Sequence, residues 1–518
     1  MANKNLFKSF VGKLLPKTDT RNEAGGVAYS LAPKQSLAQF AATGCLNGTF
    51  YASADTQLSL VLEFANKCEP EFIAKTALYV RETSHMKDLP ALLVALLSVR
   101  SPFLFAETFP RVIDNAKMLR TFVQIMRSGV VGRKSLGSLP KRLVEQWLAN
   151  RSDEVVFRGS VGSSPSLADI VKMVHPKPGT ESRAALYAYL VGRETDFGKL
   201  PPLVQQYELF KKGQSLELPD IPFELLTSLP LSPNDWKDIA RKAPWQMTRM
   251  NLNTFARHDV FEDEELTMLI AERLGNPELV RKSRVLPYQL MAAYANSGKE
   301  VPELVKAGLQ DALDHSLANV PQIQGRVCVC LDVSGSMHSP VTGHRKGSTT
   351  AVRCIDVAGL VAAAVLRVNP QARVIPFNDR VVDVSLNRRD SVMTNAQKLA
   401  ALPQGGTNCS APLESLNGEK AKVDMVIYVS DNQSWVDTAR KGGPTQTMIQ
   451  WAKLKERNPQ AKMVCIDLQP YATVQAQEGS DILNVGGFSD QVFELLGKFA
   501  DGSMTPDHWV GVIEAVSI

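Results

Sequence analysis

A carboxylate and two hydroxyls stand at alternate positions in Leu331-Asp332-Val333-Ser334-Gly335-Ser336-Met337, directly behind the apolar run VCVCL. Where a strand ends, that alternation lets all three side chains converge on one point. Two other segments supply what this run lacks: Thr407 in the glycine-rich stretch GGTN, and Asp431 at the end of VIYVSD. Hard oxygen donors of this kind suit magnesium, which prefers near-octahedral oxygen ligation and keeps several waters. The alternative is an Asx or Ser turn that caps a helix and holds no metal.

Catalysis is the weaker reading of the same residues. Asp332 could accept a phosphoryl group, but Ser334 stands where an acid–base partner is needed, and no general base is apparent nearby. No P-loop, nucleophile elbow or zincin pattern occurs. His338 and His344 lie in the polar loop HSPVTGHRKGSTT and read as solvated side chains. The expectation is a binding protein and not an enzyme, with a metal-dependent phosphohydrolase as the enzymatic alternative.

A second group of residues with binding chemistry is cationic. From Lys117 to Arg183 the chain carries Lys117, Arg120, Arg127, Arg133, Lys134, Lys141, Arg142, Arg151, Arg158, Lys172, Lys177 and Arg183, against Glu145, Asp153, Glu154, Asp169 and Glu181. Phosphate backbones are held by such surfaces, with hydroxyls and backbone amides fixing the register. The loops GVVGRKSLGSLPKR and FRGSVGSSPS add glycine and serine for close backbone approach. A charge run by itself is equally well a solvated face. Met118, Phe122, Ile125 and Met126 recur at helical spacing and are expected in the core, as are Trp147 and Trp245.

The elements that must position these residues follow two rhythms. A chain of 518 residues exceeds a single ordinary core and implies at least two domains. From about residue 25 to 320 it reads as helices joined by short turns. Pro70 suits the first turn of a helix over Glu69–Arg81. Asp88 can cap the next, whose run LPALLVALLSV is apolar on nearly every face and belongs between neighbours. Further helical pairs are expected around Phe103–Ser128, Leu139–Ala149, Ser166–Val174, Ser182–Val191, Asp235–Asn251, Asp263–Leu274 and Val285–Asn296. Stacked pairs of this kind make an α-solenoid with a concave or ring-shaped binding surface. After Gln324 short Val- and Ile-rich runs, RVCVCLDV, ARVIPFND, KVDMVIYVSD and KMVCIDL, alternate with helical stretches. That pattern predicts an open, doubly wound parallel sheet, whose ligands sit beyond the carboxyl ends of the strands. The expected boundary is 1–324 for the helical half and 325–518 for the α/β domain.

Composition adds bounds. Hydrophobic content of 44% and 21% charged residues are ordinary for a soluble globular protein, and the net charge of +5 permits an acidic partner without requiring one. The apolar stretches Leu89–Val99 and Val357–Leu366 fall short of the ~20 residues of a spanning helix, so no membrane span is expected. The N-terminal MANKNLFKSFVGKLLPK has the spacing of a basic amphipathic helix and lacks a secretory cleavage pattern, so a docked arm is expected. The 7 cysteines form no C-x-x-C pair and read as reduced thiols of a cytoplasmic protein.

DVSGS at 332–336, the loop threonine and the later aspartate resemble the metal-ion-dependent adhesion site of von Willebrand A domains. That resemblance implies Asp332, Ser334 and Ser336 as the first ligand set, completed by Thr407 and Asp431 directly or through water. Upstream, GRKSLGSLPKRLVEQWLAN followed by SLADIVKMVHPKP is similar to the TROVE module of the Ro ribonucleoprotein autoantigen family. A TROVE module followed by an A domain is that family's architecture, shared with its bacterial relatives. It implies a HEAT-like ring of helical repeats that binds Y RNA on its outer surface and passes single-stranded ends of misfolded RNA through its centre. His175 matches the family histidine needed for Y RNA binding, and Arg158 falls near a family basic position. Arg133, Lys134, Lys141, Arg142, Lys172 and Lys177 are the further candidates. A second family basic position falls near Gly162, where this chain departs from the pattern. The resemblance also implies a monomeric protein within a ribonucleoprotein, acting in RNA quality control. For bacterial relatives it implies a tethered exoribonuclease of the polynucleotide phosphorylase type. The rival is a metal-dependent protein-interaction module on a helical scaffold.

Overall fold

The computed structural model describes residues 15–43, 46–285, 287–317, 320–344, 352–469, 471–487, 491–504 and 508–518. The N-terminal amphipathic stretch through residue 14, Cys45 and most of the polar loop beyond His344 lie outside the described residues. Two compact units emerge, one made of residues through Cys68, Arg284–Asn296 and Leu313–Ala515, the other of Glu69–Ser283, Ser297–Ala312 and Val516–Ile518.

In the first unit the strands are β1 (Thr20–Arg21), β2 (Val27–Ser30), β3 (Val327–Asp332), β4 (Arg373–Phe377), β5 (Met425–Ser430), β6 (Lys462–Asp467), β7 (Thr473–Val474) and β8 (Ile482–Gly486). Five of them form a parallel sheet in the order β4-β3-β5-β6-β8. β3 and β5 are buried along their whole length, as their unbroken Val, Ile and Cys runs require of central strands covered on both faces. Helix Cys354–Val368, apolar nearly all round, packs on β3 and on helix Val392–Ala400. From β3 the chain crosses to β4 on one side and then to β5 on the other, so the strand order reverses between β3 and β5. Side chains at the ends of these two strands therefore face the crevice where open α/β sheets bind their ligands.

The unit boundary differs from the expected break at 324/325, because residues through Cys68 pack with the α/β domain. β2 pairs antiparallel with both β1 and β7, giving a second, three-stranded sheet. Helix Pro33–Thr43 lies against β8, so closely that a Cβ on Gly486 would stand 2.8 Å from Thr43 Cγ2. Gln39 Nε2 donates to Asp467 Oδ2 at 2.6 Å. Apart from the local β1–β2 pair, these pairings join segments more than 400 residues apart, and no local pattern announces them. Helix Pro287–Ala295 likewise belongs to this unit, contacting Cys354–Val368.

The second unit is helical. Pro70 occupies the first turn of helix Pro70–Glu82, as its fixed φ favours. The next helix is Asp88–Arg100; Asp88 lies inside its first turn while Lys87 holds the cap position, a shift of one residue from the expected cap. Leu89 to Ser98 are all buried, and the helix packs against Pro70–Glu82, Pro102–Val112 and Ala116–Ser128, as an all-round apolar sequence demands. Met118, Phe122 and Met126 are fully buried, and Phe122 stacks with Phe105 and meets Phe109 edge-on. Trp147 and Trp245 are core residues whose indole N–H groups donate to Ile113 O and Leu274 O. The remaining α-helices, from Ser138–Ala149 through Pro277–Ser283, are short.

Candidate metal centre and nucleic-acid interface

Asp332 ends β3, and Asp431 follows β5 by one residue, so adjacent parallel strands deliver both carboxylates to the same edge. Asp332, Ser334, Ser336, Thr407 and Asp431 are all buried. The loop after β3 folds back on itself: Ser334 N–H donates to Asp332 Oδ1 at 2.8 Å, and the Ser334 and Ser336 hydroxyls are 3.2 Å apart. Ser430 Oγ donates to Asp332 Oδ2 at 2.6 Å. Gly335 N–H reaches Gly405 O at 3.0 Å, which pins the glycine-rich loop bearing Thr407 against the DVSGS loop.

The electrostatics of this cluster call for a cation. Burial, and then the charge of Asp431, push the Asp332 carboxyl well above the usual carboxylate range despite the Ser430 and Ser334 donors. Burial likewise raises Asp431. Asp431 Oδ2 is buried and has no hydrogen-bond partner among the described residues. An orphaned carboxylate oxygen near a second carboxylate, with the Ser334 and Ser336 hydroxyls on the adjoining loop and Thr407 on the loop pinned to it, is a donor set that suits a small hard cation. The residues present therefore fit the group.

Sequence reasoning missed two neighbours of this centre. Tyr51, on the N-terminal segment that joins this unit, lies in hydrogen-bonding reach of Ser336, and its ring stands edge-on to Tyr471 at 5.6 Å. Burial first, then Asp431 and Asp332, raise its phenol to about 12. Trp435 is 44% exposed beside the threonine loop; its backbone N–H donates to Thr407 O at 3.0 Å and its indole to Asp379 Oδ1 at 3.0 Å. Asp379 also accepts from Gly406 N–H, and a Cβ on Gly406 would come within 2.5 Å of both Asp379 and the indole. A solitary tyrosine 281 positions before Asp332 in the chain carries no local signal, while Trp435 stands four residues after Asp431. His338 is not a solvated side chain: its Nδ1 lies 3.0 Å from the Arg353 guanidinium, and burial and that cation lower its pKa.

In the helical unit the basic run sorts into different roles. Arg183 is buried and structural, its guanidinium donating to Asp153, Leu148 O and Arg151 O. Arg158 is held by Asp220, with Nη2 to Oδ2 at 2.7 Å and Nη1 to Oδ1 at 3.3 Å. Arg133 turns inward to Ser98 O, and Lys141 stands 3.9 Å from Glu145. Lys134, Arg142, Lys172 and Lys177 are exposed and enter no ion pair among the described residues. His175 caps helix Leu167–Val174 with φ 52° and N–H to Val171 O, leaving its ring exposed. Its backbone is thus the helix cap and its side chain is free for a ligand. At Gly162 the space of a side chain is filled from elsewhere: a Cβ there would lie 2.0 Å from Arg120 Nη1. Arg120 Nε is buried without a partner, so a cation does occupy this spot, delivered by helix Ala116–Ser128.

A five-stranded parallel sheet with this donor set at its switch point, in one chain with a unit of short helices, defines a von Willebrand A-type domain accompanied by a helical unit. Residues 326–500 match the family described as "Ro60 vWA domain". The chain is 26% identical, over 97% of its length and 100% of the relative's, to "RNA-binding protein RO60" of Deinococcus radiodurans. It is 23% identical to the protein of the same name from Caenorhabditis elegans, over 47% of this chain and 38% of that one. The crystal structure of the Deinococcus radiodurans RO (RSR) protein superposes with a TM-score of 0.62 at 20% identity, covering 91% of this chain and 100% of that one. Residues 326–500 are thus similar to the A domain of Ro proteins, and the chain resembles a Ro protein over nearly its whole length.

Proposed function

We propose that this protein binds RNA through its helical unit and uses its A domain to dock a protein partner. The observation that carries the reading is the set of exposed, unpaired cations Lys134, Arg142, Lys172 and Lys177 with the free imidazole of His175. Exposed cations of this kind neutralise phosphates, and an exposed imidazole can stack on a base or hydrogen-bond. Two relatives named as RNA-binding proteins support it. The RNAs we assign are small Y RNAs and the single-stranded ends of misfolded or structured RNAs, in a ribonucleoprotein that acts in RNA quality control. We place the particle in the cytoplasm; no helix among the described residues is long and apolar enough to cross a membrane.

The A domain holds Mg²⁺ on Asp332, Ser334, Ser336, Thr407 and Asp431 in this proposal, and the cation supplies an open coordination position for a partner's carboxylate. An exoribonuclease of the polynucleotide phosphorylase type is the partner we assign, and the protein is itself a noncatalytic scaffold. A gel-shift series with a structured RNA bearing a single-stranded 3′ end tests the RNA reading. His175→Ser and a triple Lys141, Arg142 and Lys172 change to Gln should each weaken binding, and the wild-type affinity should fall steeply with salt. Affinity indifferent to both variants, or flat with salt, sinks it.

A further inference from the structure

We propose that a cleft in the helical unit receives one nucleotide of a bound RNA strand, its base inward and its phosphate on Arg158 and Lys242, and that Asp220 holds the phosphate's place in the free protein. The inference rests on the RNA-binding reading above and adds a site and a competitor to it.

The cleft has a volume of about 440 Å³ and is lined by Arg158, Asp220, Phe223, Ile239, Lys242 and Met247, among others. That volume falls within the range of small-molecule sites, roughly 300–1,000 Å³. Ile239 is buried, while Phe223 and Met247 are half-buried and present an aromatic ring and a thioether. Surfaces of this kind accept any base, because every base has an apolar face. Both cations of the lining are drawn to the same carboxylate: Arg158 grips Asp220 through two N–H groups, and Lys242 acts on it at longer range.

A guanidinium fork fits a carboxylate and a phosphate by the same geometry. A phosphodiester carries one negative charge, as Asp220 does, so exchanging one for the other leaves the charge of the cluster unchanged. The Asp220 side chain is 87% exposed, so releasing it into water costs little. Phosphate alone gains nothing by the exchange, since Asp220 is tethered beside the fork. A nucleotide gains the burial of its base, and that difference makes the site selective for bases joined to phosphate over inorganic anions.

The test uses the full chain stripped of RNA and a labelled single-stranded dodecaribonucleotide in fluorescence anisotropy, beside the same backbone with abasic residues. Asp220→Asn keeps the shape and removes the competing charge, and should tighten binding roughly fivefold, the equivalent of about 1 kcal/mol. Lys242→Gln should weaken it severalfold, and the abasic strand should bind roughly tenfold more weakly than the intact one. Asp220 and Lys242 are both exposed, so unchanged melting temperatures are expected and confirm folding. Asp220→Asn with wild-type affinity, while His175→Ser still weakens binding, overturns the cleft and leaves the RNA reading standing. Equal tightening of the abasic and intact strands also overturns it, because charge alone then explains the effect. Failure of the wild type to bind any strand defeats the RNA reading itself.

Discussion

Replacing Asp332 by asparagine should reverse the order of stability between metal-free and metal-loaded protein. The side chain fits without repacking: the asparagine oxygen can still accept from Ser334 N–H, and its amide can donate to Ser430 Oγ, since a hydroxyl serves in either sense. What disappears is one of two mutually repelling buried charges. In the wild type the fold raises the Asp332 pKa, so its contribution to stability is present at low pH and is lost as pH rises above the carboxylate range. In EDTA at pH 8 the variant should therefore be the more stable, by on the order of 1–3 kcal/mol. Magnesium at a hundredfold its dissociation constant stabilises the wild type by about 2.7 kcal/mol. For a unit of this size that is a rise of roughly 5–10 °C in the melting temperature of the A domain. The variant lacks one ligand and should show no such rise. Differential scanning calorimetry of both proteins in EDTA and in Mg²⁺ gives all four values. A variant that keeps the full Mg²⁺ shift places the cation elsewhere, and a wild type that shows none removes the metal centre.

Three further outcomes follow from particular contacts. Asp467 is buried and its pKa is raised by burial and then by Asp431, so in EDTA Asp467→Asn should match wild-type stability near pH 4 and exceed it at pH 8, as read by urea melts. Leu93 is fully buried in the central helix Asp88–Arg100, and Leu93→Ala should cost about 2–5 kcal/mol in the transition of the helical unit. The double change Arg142→Gln and Lys172→Gln should lower the slope of log affinity against log salt by about two, measured by RNA titration at several salt concentrations.

How much of this was legible in the chain depends on how far apart the partners lie. The DVSGS run announces itself because one strand end and one turn place Asp332, Ser334 and Ser336 together within five residues. Asp431 is legible for a related reason: β5 repeats the apolar signature of β3, so its end could be set beside that of β3. The all-round apolar helix Asp88–Arg100 could be placed between neighbours by composition alone. The fate of each cation could not be read, since Arg158 is paired by Asp220 and Arg183 is consumed by carbonyls around position 150. Charge in a sequence gives the number of cations, and only the fold divides them between packing and partners. The packing of the N-terminal segment with the α/β domain was not legible for the same reason. Pairing of β2 with β7 and the approach of Tyr51 to Ser336 rest on contacts across most of the chain, which local periodicity does not encode. These contacts make the N-terminal segment part of the candidate site's wall, so removing residues 1–68 should disturb the A domain and leave the helical unit's own core contacts intact.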